Sequence, residues 1–365
     1  MSGERNTLTG GSILELMGGF RPACVLGAAA ELGLFDAIGQ SCMSAEEVTA
    51  KLKSDLRATT MLLDAIAAIG LLSKDGDRYS VPSEVRPLLT HGTPQTVLPM
   101  VLHNMTVLRN WSQLAWIVKA GILAPRQASI RGFEADRAAF IAAMHSVSGP
   151  IADGLVAKLV AGGMPSRSVG MSADPHGDAS DAMPPGRVKF RHLLDVGGAS
   201  GTWTMAFLRA IPGARATIFD LPDAIVQARQ RIGATEFADR VDFAAGDFYC
   251  DELPAGADFA WVSAIIHQHS REESRQLFAK VFRALEPGAR IGIRDIVMEP
   301  CRTRPPFGAL FAINMLAATE RGGTYTFQEI AEDLQAAGFA DPELRVKAED
   351  MTSVVLAAKP AVRRL

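Results

Sequence analysis

The chain has 365 residues, 48% hydrophobic and 21% charged, enough apolar material for a large core and, on length, for two domains. Thirty-seven Lys and Arg against forty Asp and Glu leave a formal charge of -3, which argues against a nucleic-acid carrier. Cys24, Cys42, Cys250 and Cys301 form no Cys-x-x-Cys pair, so neither a metal site nor a disulfide framework is predicted, and the four read as reduced thiols, mostly packed.

Residues 1–11 are polar and lack the apolar core of a signal peptide. No window approaches the ~18 uninterrupted apolar residues of a membrane span, so no membrane partner is predicted and the cytoplasm is the expected location. From residue 13 to about 161 Ala, Leu and Met recur at three- and four-residue spacing, which predicts a nearly all-α half. Ser44-Ala45-Glu46-Glu47 is a capping box opening a short helix, and residues 57–70 form a second helix closed by glycine. A hairpin follows over 71–81, turning at Asp75-Gly76-Asp77. Two helices and a hairpin make a winged-helix pattern, but residues 57–69 carry one arginine and the acid Asp64, too little positive charge to grip DNA phosphates. The apolar helix over 21–33 exceeds what one small core needs and predicts a homodimer interface. Residues 162–187 are rich in Gly, Ser, Pro and Asp without periodicity and read as a linker or insertion.

From residue 188 strand and helix signals alternate, as an α/β fold with a parallel Rossmann-like sheet requires. Strands are predicted at 193–196, 216–219, 241–244, 259–263, 290–296, 344–348 and 354–358. The last two are close enough for a hairpin, which predicts one antiparallel strand at the sheet's end. The predicted organisation is a helical winged-helix-like dimerisation domain over 12–105, linking helices over 106–163, an insertion over 164–187 and a cofactor-binding α/β domain over 188–360.

Asp195-Val196-Gly197-Gly198-Ala199-Ser200-Gly201 reads as a strand breaking into a glycine turn that opens a helix, where exposed amides and close backbone approach suit a nucleotide-like ligand. Ala199 occupies the second glycine of a dinucleotide fingerprint, so NAD fits poorly. Asp220, roughly 20 residues on, ends the next strand, where a carboxylate can accept from both ribose hydroxyls. Asp247 and Phe248 follow the third strand, an acid for an exocyclic amine and an apolar wall for a base. After the fourth strand, Ser263-Ala264-Ile265-Ile266-His267-Gln268-His269 places His267 at the rim of the site as general base. Asp295, near the end of the fifth strand, orients its imidazole. His269, two residues on, is assigned to exposure or to capping the next helix, whose box is Ser270 and Glu273.

These residues, with Phe219-Asp220-Leu221-Pro222, Gly246-Asp247-Phe248 and Leu285-Glu286-Pro287-Gly288, resemble over nearly the whole chain the S-adenosylmethionine-dependent O-methyltransferases of the plant caffeate, acetylserotonin and bacterial small-molecule type. The resemblance implies a winged-helix dimerisation region, a class I methyltransferase sheet, S-adenosyl-L-methionine as cofactor and His267 as catalytic base beside Asp295. It implies cofactor contacts at Gly197, Gly198, Ser200, Gly201, Asp220, Leu221, Asp247, Phe248 and Ser263. Three positions depart from the plant pattern: Gln268 and His269 replace an acid and a tryptophan, and Ser263 replaces a cofactor-contacting lysine. A flanking glutamate of that branch falls near Gly323-Thr324-Tyr325, where no acid stands, and Glu320 is the nearest substitute. Phe140, Met144, Phe311, Asn314 and Met315, at helical spacing, are assigned to an apolar pocket for a phenolic acceptor. The rival readings are hydroxylation or decarboxylation on the same scaffold, an NAD-dependent dehydrogenase and a DNA-binding regulator.

Overall fold

The computed structural model describes residues 8–162 and 188–361; the predicted insertion over 164–187 therefore lies outside the described residues. Among the described residues the chain forms two compact units: the first runs to Gln113 and takes in Pro125–Val147, and the second takes in Leu114–Ala124 and the described residues from Ser148 on.

The first unit opens with α1 (Gly10–Gly18), α2 (Phe20–Glu31) and α3 (Leu34–Ile38). Next come β1 (Cys42–Ser44), α4 (Ala45–Leu52), α5 (Leu56–Ala68), β2 (Ser73–Asp75) and β3 (Arg78–Ser80). The predicted box is present: Ser44 Oγ accepts from the Glu47 amide while the Glu47 carboxylate accepts from the Ser44 amide at 2.7 Å. The expected two-stranded hairpin is a three-stranded sheet in the order β1-β3-β2, because β1 adds to the free side of β3. Its core of Leu34, Phe35, Ile38, Val48, Leu63, Ile66 and Tyr79 is fully buried. After α6 (Arg86–Leu89), α7 (Leu98–Trp111) packs on α2 at Gly27, where a Cβ would stand 1.8 Å from Met105 Sδ. A larger residue there would require the Met105 side chain to move.

α8 (Leu114–Ala120) belongs to the second unit, and α9 (Phe133–Ala161) is one long helix within the predicted linking stretch. Pro150 stands inside α9, close to the residues where the two units divide. By length and apolar composition alone, the α1–α2 run (Gly10–Glu31) and α9 could each cross a membrane.

The sheet strands are β4 (His192–Val196), β5 (Arg215–Asp220), β6 (Val241–Ala245), β7 (Ala257–Ser263), β8 (Leu285–Asp295), β11 (Ala340–Val346) and β12 (Ser353–Ala358). Between them lie α10 (Thr202–Ala210), α11 (Pro222–Gly233), α12 (Arg271–Ala284), the short β9 (Val297–Met298), α13 (Pro306–Ala318), β10 (Tyr325–Thr326) and α14 (Phe327–Ala336). The order is β11-β12-β8-β7-β4-β5-β6, with β4 to β8 mutually parallel. Alternate strand residues feed opposite faces: Leu193, Ile218 and Trp261 pack with α9, α10 and α11, whereas Leu194, Val262 and Ile293 pack with α12 and α14.

The antiparallel strand is β12, and it lies second from the edge rather than at the end. The connection through α13 and α14 carries the chain past β8 to the edge, and the hairpin then turns inward. Burial explains the choice. Val354 to Ala357 are all buried and suit an interior strand, while β11 alternates in exposure and suits the edge. The cysteines are all free, but Cys42, Cys250 and Cys301, on a short strand and two turns, are exposed, and Cys24, on α2, is only partly covered.

Candidate active site

β4 connects to β5 on one side and has β7 as its neighbour on the other, so the strand order reverses between β4 and β7. In open α/β sheets a ligand binds at the carboxyl ends beside that reversal. The glycine turn is there. Gly197 and Gly201 have φ of +67° and +72°, and Ala199 itself takes φ +44°. Packing also demands the glycines: a Cβ on Gly197 would stand 2.6 Å from Ile265 Cδ1, one on Gly198 2.9 Å from Asp195 Cγ, and one on Gly201 2.5 Å from Ile232 Cδ1.

The Ala199 and Leu221 amides donate to the two Asp220 oxygens, each at 2.7 Å. These bonds aim the carboxylate across the turn and leave lone pairs on both oxygens for vicinal hydroxyls. Burial pushes the Asp220 carboxyl up. Asp195, 1% exposed, accepts from Thr204 Oγ1 at 2.6 Å, and its Oδ1 is buried with no partner. Burial raises its carboxyl to about 7. Ser200 Oγ shares a 3.0 Å hydrogen bond with Thr202 Oγ1. Arg231, which sequence spacing does not single out, donates to the Ser200 carbonyl at 3.2 Å and Thr202 Oγ1 at 2.9 Å, holding the turn from α11. An amide-aimed aspartate beside a glycine turn fits a ligand that carries two vicinal ribose hydroxyls.

Asp247 accepts from the Tyr249 amide at 2.9 Å, and Phe248 packs on the adjoining core. His269 is neither exposed nor the cap of α12: it is 4% exposed, its Nδ1 shares a 2.6 Å hydrogen bond with the Tyr249 hydroxyl, and its carbonyl accepts from the Tyr325 hydroxyl. Ser270 caps α12 instead. Burial lowers the His269 pKa, so the ring is a neutral element of an aromatic cluster with Phe248 and Tyr249.

His267 is more enclosed than a rim residue, at 7% exposure. Its Nδ1–H donates to both Asp295 oxygens, at 2.9 and 3.0 Å, leaving Nε2 as the ring's acceptor. Asp295 lies on the α12 side of β8 and is held further by the Ile296 amide at 2.8 Å. Phe311 meets the imidazole edge-on with centroids 5.0 Å apart. The Gly322–Gly323 loop clasps the histidine from behind, the Gly323 amide donating to the His267 carbonyl at 2.9 Å, and a Cβ on Gly322 would lie 2.5 Å from that oxygen. Backbone therefore stands where a flanking acid is expected, and Glu320 is exposed with no hydrogen bond to His267. Asn314 and Met315 share α13 with Phe311, Met315 being buried. Phe140 and Met144 belong to the first unit, where the Phe140 ring lies 5.0 Å from His103.

A seven-stranded sheet with one inner antiparallel strand, an acid-tipped second strand and a glycine turn at the strand-order reversal define a class I methyltransferase fold. A family model for the O-methyltransferase domain matches residues 187–340, and one for the O-methyltransferase dimerisation domain matches 14–83. Together they span well over half the chain, which belongs to the S-adenosylmethionine-dependent O-methyltransferase family. It is 28% identical to the tetracenomycin polyketide synthesis 8-O-methyl transferase TcmO of Streptomyces glaucescens, covering 91% of each chain. Against acetylserotonin O-methyltransferase of Gallus gallus it is also 28% identical, covering 91% of this chain and 93% of the relative. The solved structure of PigF with SAH superposes with a TM-score of 0.78 at 24% identity, covering 96% of this chain and 100% of that one.

Proposed function

We propose that the enzyme methylates a phenolic hydroxyl of a flat aromatic small molecule, with His267 as general base and Asp295 as the group that orients it. The observation that carries this reading is the imidazole bound through Nδ1 by both Asp295 oxygens, which fixes Nε2 as the proton acceptor and stabilises the imidazolium once formed. When bound, S-adenosylmethionine supplies an electrophilic methyl group on a sulfonium. Asp220 takes the ribose hydroxyls, Asp247 and Phe248 hold the adenine, and the Gly197 to Gly201 turn with Ser263 receives the amino-acid end. A phenol, of pKa about 10, yields its proton to an imidazole in an uphill transfer that coupling to attack can offset; an aliphatic alcohol lies far beyond reach. Relatives named for a naphthoate and a phenazine as acceptors support an aromatic substrate. Phe311, with Asn314 and Met315 on the same helix, contributes apolar surface beside the base.

The dimerisation-domain match and the bare apolar surface of α1 support a homodimer: Leu14, Leu16 and Met17 are 74, 82 and 71% exposed. Four free cysteines suit the reducing cytoplasm. Residues 188–360 form the cofactor-binding domain in this reading. Mass spectrometry of a phenol and catechol library incubated with protein and cofactor tests the function. One methyl gained on a hydroxyl is expected, and products hydroxylated or decarboxylated instead would replace the reaction class.

A further inference from the structure

Arg294 is a buried cation without an anion. It is 4% exposed, yet its hydrogen bonds run only to neutral acceptors: Nε donates to Ser263 Oγ at 2.7 Å and one terminal nitrogen to the Met351 carbonyl at 3.0 Å. The guanidinium lies over the Trp203 ring, 4.6 Å from its centroid. Among the described residues no carboxylate pairs with it. Asp295, its neighbour on β8, points to the opposite face and is held by His267. Asp350 accepts from the Thr352 amide at 2.8 Å. Burial lowers the Arg294 pKa to about 10, and the charges of Asp295 and Asp350, neither hydrogen-bonded to it, offset that only in part. Burying a guanidinium this way is costly unless an anion arrives.

Its position says which anion. Arg294 is in register with Ser263, the last residue of β7. Val262 is in register with Val196, so Ser263 stands beside the first residue of the glycine turn. Trp203 is in the first turn of α10, the helix that the same turn opens. The guanidinium thus lies between the carboxyl edge of the sheet and the glycine turn. Ser263, which carries no charge, is its hydrogen-bond acceptor there.

We propose that Arg294 is the cation of the cofactor site, receiving through its planar fork the carboxylate of the amino-acid end of S-adenosylmethionine. The proposal rests on the cofactor reading above. A guanidinium pairs with a carboxylate through two parallel hydrogen bonds, and the bound carboxylate completes the charge balance that the protein leaves open.

Titration calorimetry with three ligands tests it: S-adenosylhomocysteine, its decarboxylated analogue and 5′-methylthioadenosine. The wild-type chain should bind S-adenosylhomocysteine at least ~10-fold more tightly than the decarboxylated analogue, in line with loss of a charge-assisted pair. Arg294→Met, which keeps apolar packing on Trp203, should lose about 10- to 100-fold for S-adenosylhomocysteine and leave 5′-methylthioadenosine nearly unchanged. Adding Ser263→Lys should restore the preference for the carboxylate. Equal wild-type affinity for the carboxylated and decarboxylated ligands overturns the proposal without any variant, so a misfolded Arg294→Met does not protect it. Equal losses for all three ligands in a folded variant also overturn it and leave Arg294 as an anchor for the Met351 loop. A wild-type chain that binds none of them removes the cofactor reading itself, and the proposal with it.

Discussion

On the mechanism proposed above, Asp295→Asn separates orientation of His267 from its role as base. The carboxylate accepts from Nδ1 through both oxygens, at 2.9 and 3.0 Å, in a pair that is almost wholly buried. An amide of the same shape keeps the Ile296 amide bond to the oxygen but loses the negative charge. It can also turn its NH2 toward the ring, which then carries its proton on Nε2, the wrong nitrogen for accepting one. A charge-assisted hydrogen bond is worth about 1.5 to 3 kcal/mol, so turnover on a phenol should fall on the order of 10- to 150-fold. His267→Ala, which removes the proposed base, should cost at least ~100-fold. Both deficits should narrow as pH approaches the phenol's own pKa near 10, where phenolate forms without help. The assay is single-turnover methyl transfer across a pH series, with S-adenosylhomocysteine affinity measured in parallel and expected to stay within about two-fold. Unchanged turnover in Asp295→Asn, or a deficit independent of pH in His267→Ala, would refute the general-base argument and leave alignment of the reactants as the source of rate.

Four further outcomes follow from the same geometry. Asp220→Ala should weaken S-adenosylhomocysteine by about 1.5 to 3 kcal/mol in a folded protein, read by calorimetry; an unchanged dissociation constant removes Asp220 from the site. Gly322→Ala should lower turnover with little change in cofactor affinity, because its Cβ would press on the His267 carbonyl from 2.5 Å; wild-type rates would show that the loop yields freely. Asp195 is protonated more readily folded than unfolded, so its contribution is fully present below its ordinary 3.8 and lost as pH rises to about 7, up to about 4 kcal/mol. The stability advantage of Asp195→Asn over wild type in urea melts should therefore grow across that window, and a constant difference would contradict the burial argument. Leu14→Glu with Leu16→Glu should convert a dimer to monomer in light scattering, and a wild-type monomer would dismiss the interface on α1.

Much of this enzyme is legible locally. Glycine turn, acid-tipped strand and capping boxes are short-range devices: Ser44 with Glu47 and Ser270 with Glu273 close their rings within three residues, and alternation of apolar residues marks each strand. What the sequence by itself determined is therefore the element types, the half-helical and α/β organisation and the residues that gather at the strand ends. Only the tertiary structure decided which of two hairpin strands goes inside, because that depends on how both faces of β12 are covered by helices distant in sequence. It decided that His269 is buried against Tyr249, 20 residues away, and that Gly322 and Gly323 hold the His267 backbone where an acid is expected. It also left Arg294 buried beside Ser263 with neutral partners, 31 residues apart in sequence. Each of these is a pairing across elements, and periodicity, which reports only on the faces of one element, carries no record of its partner.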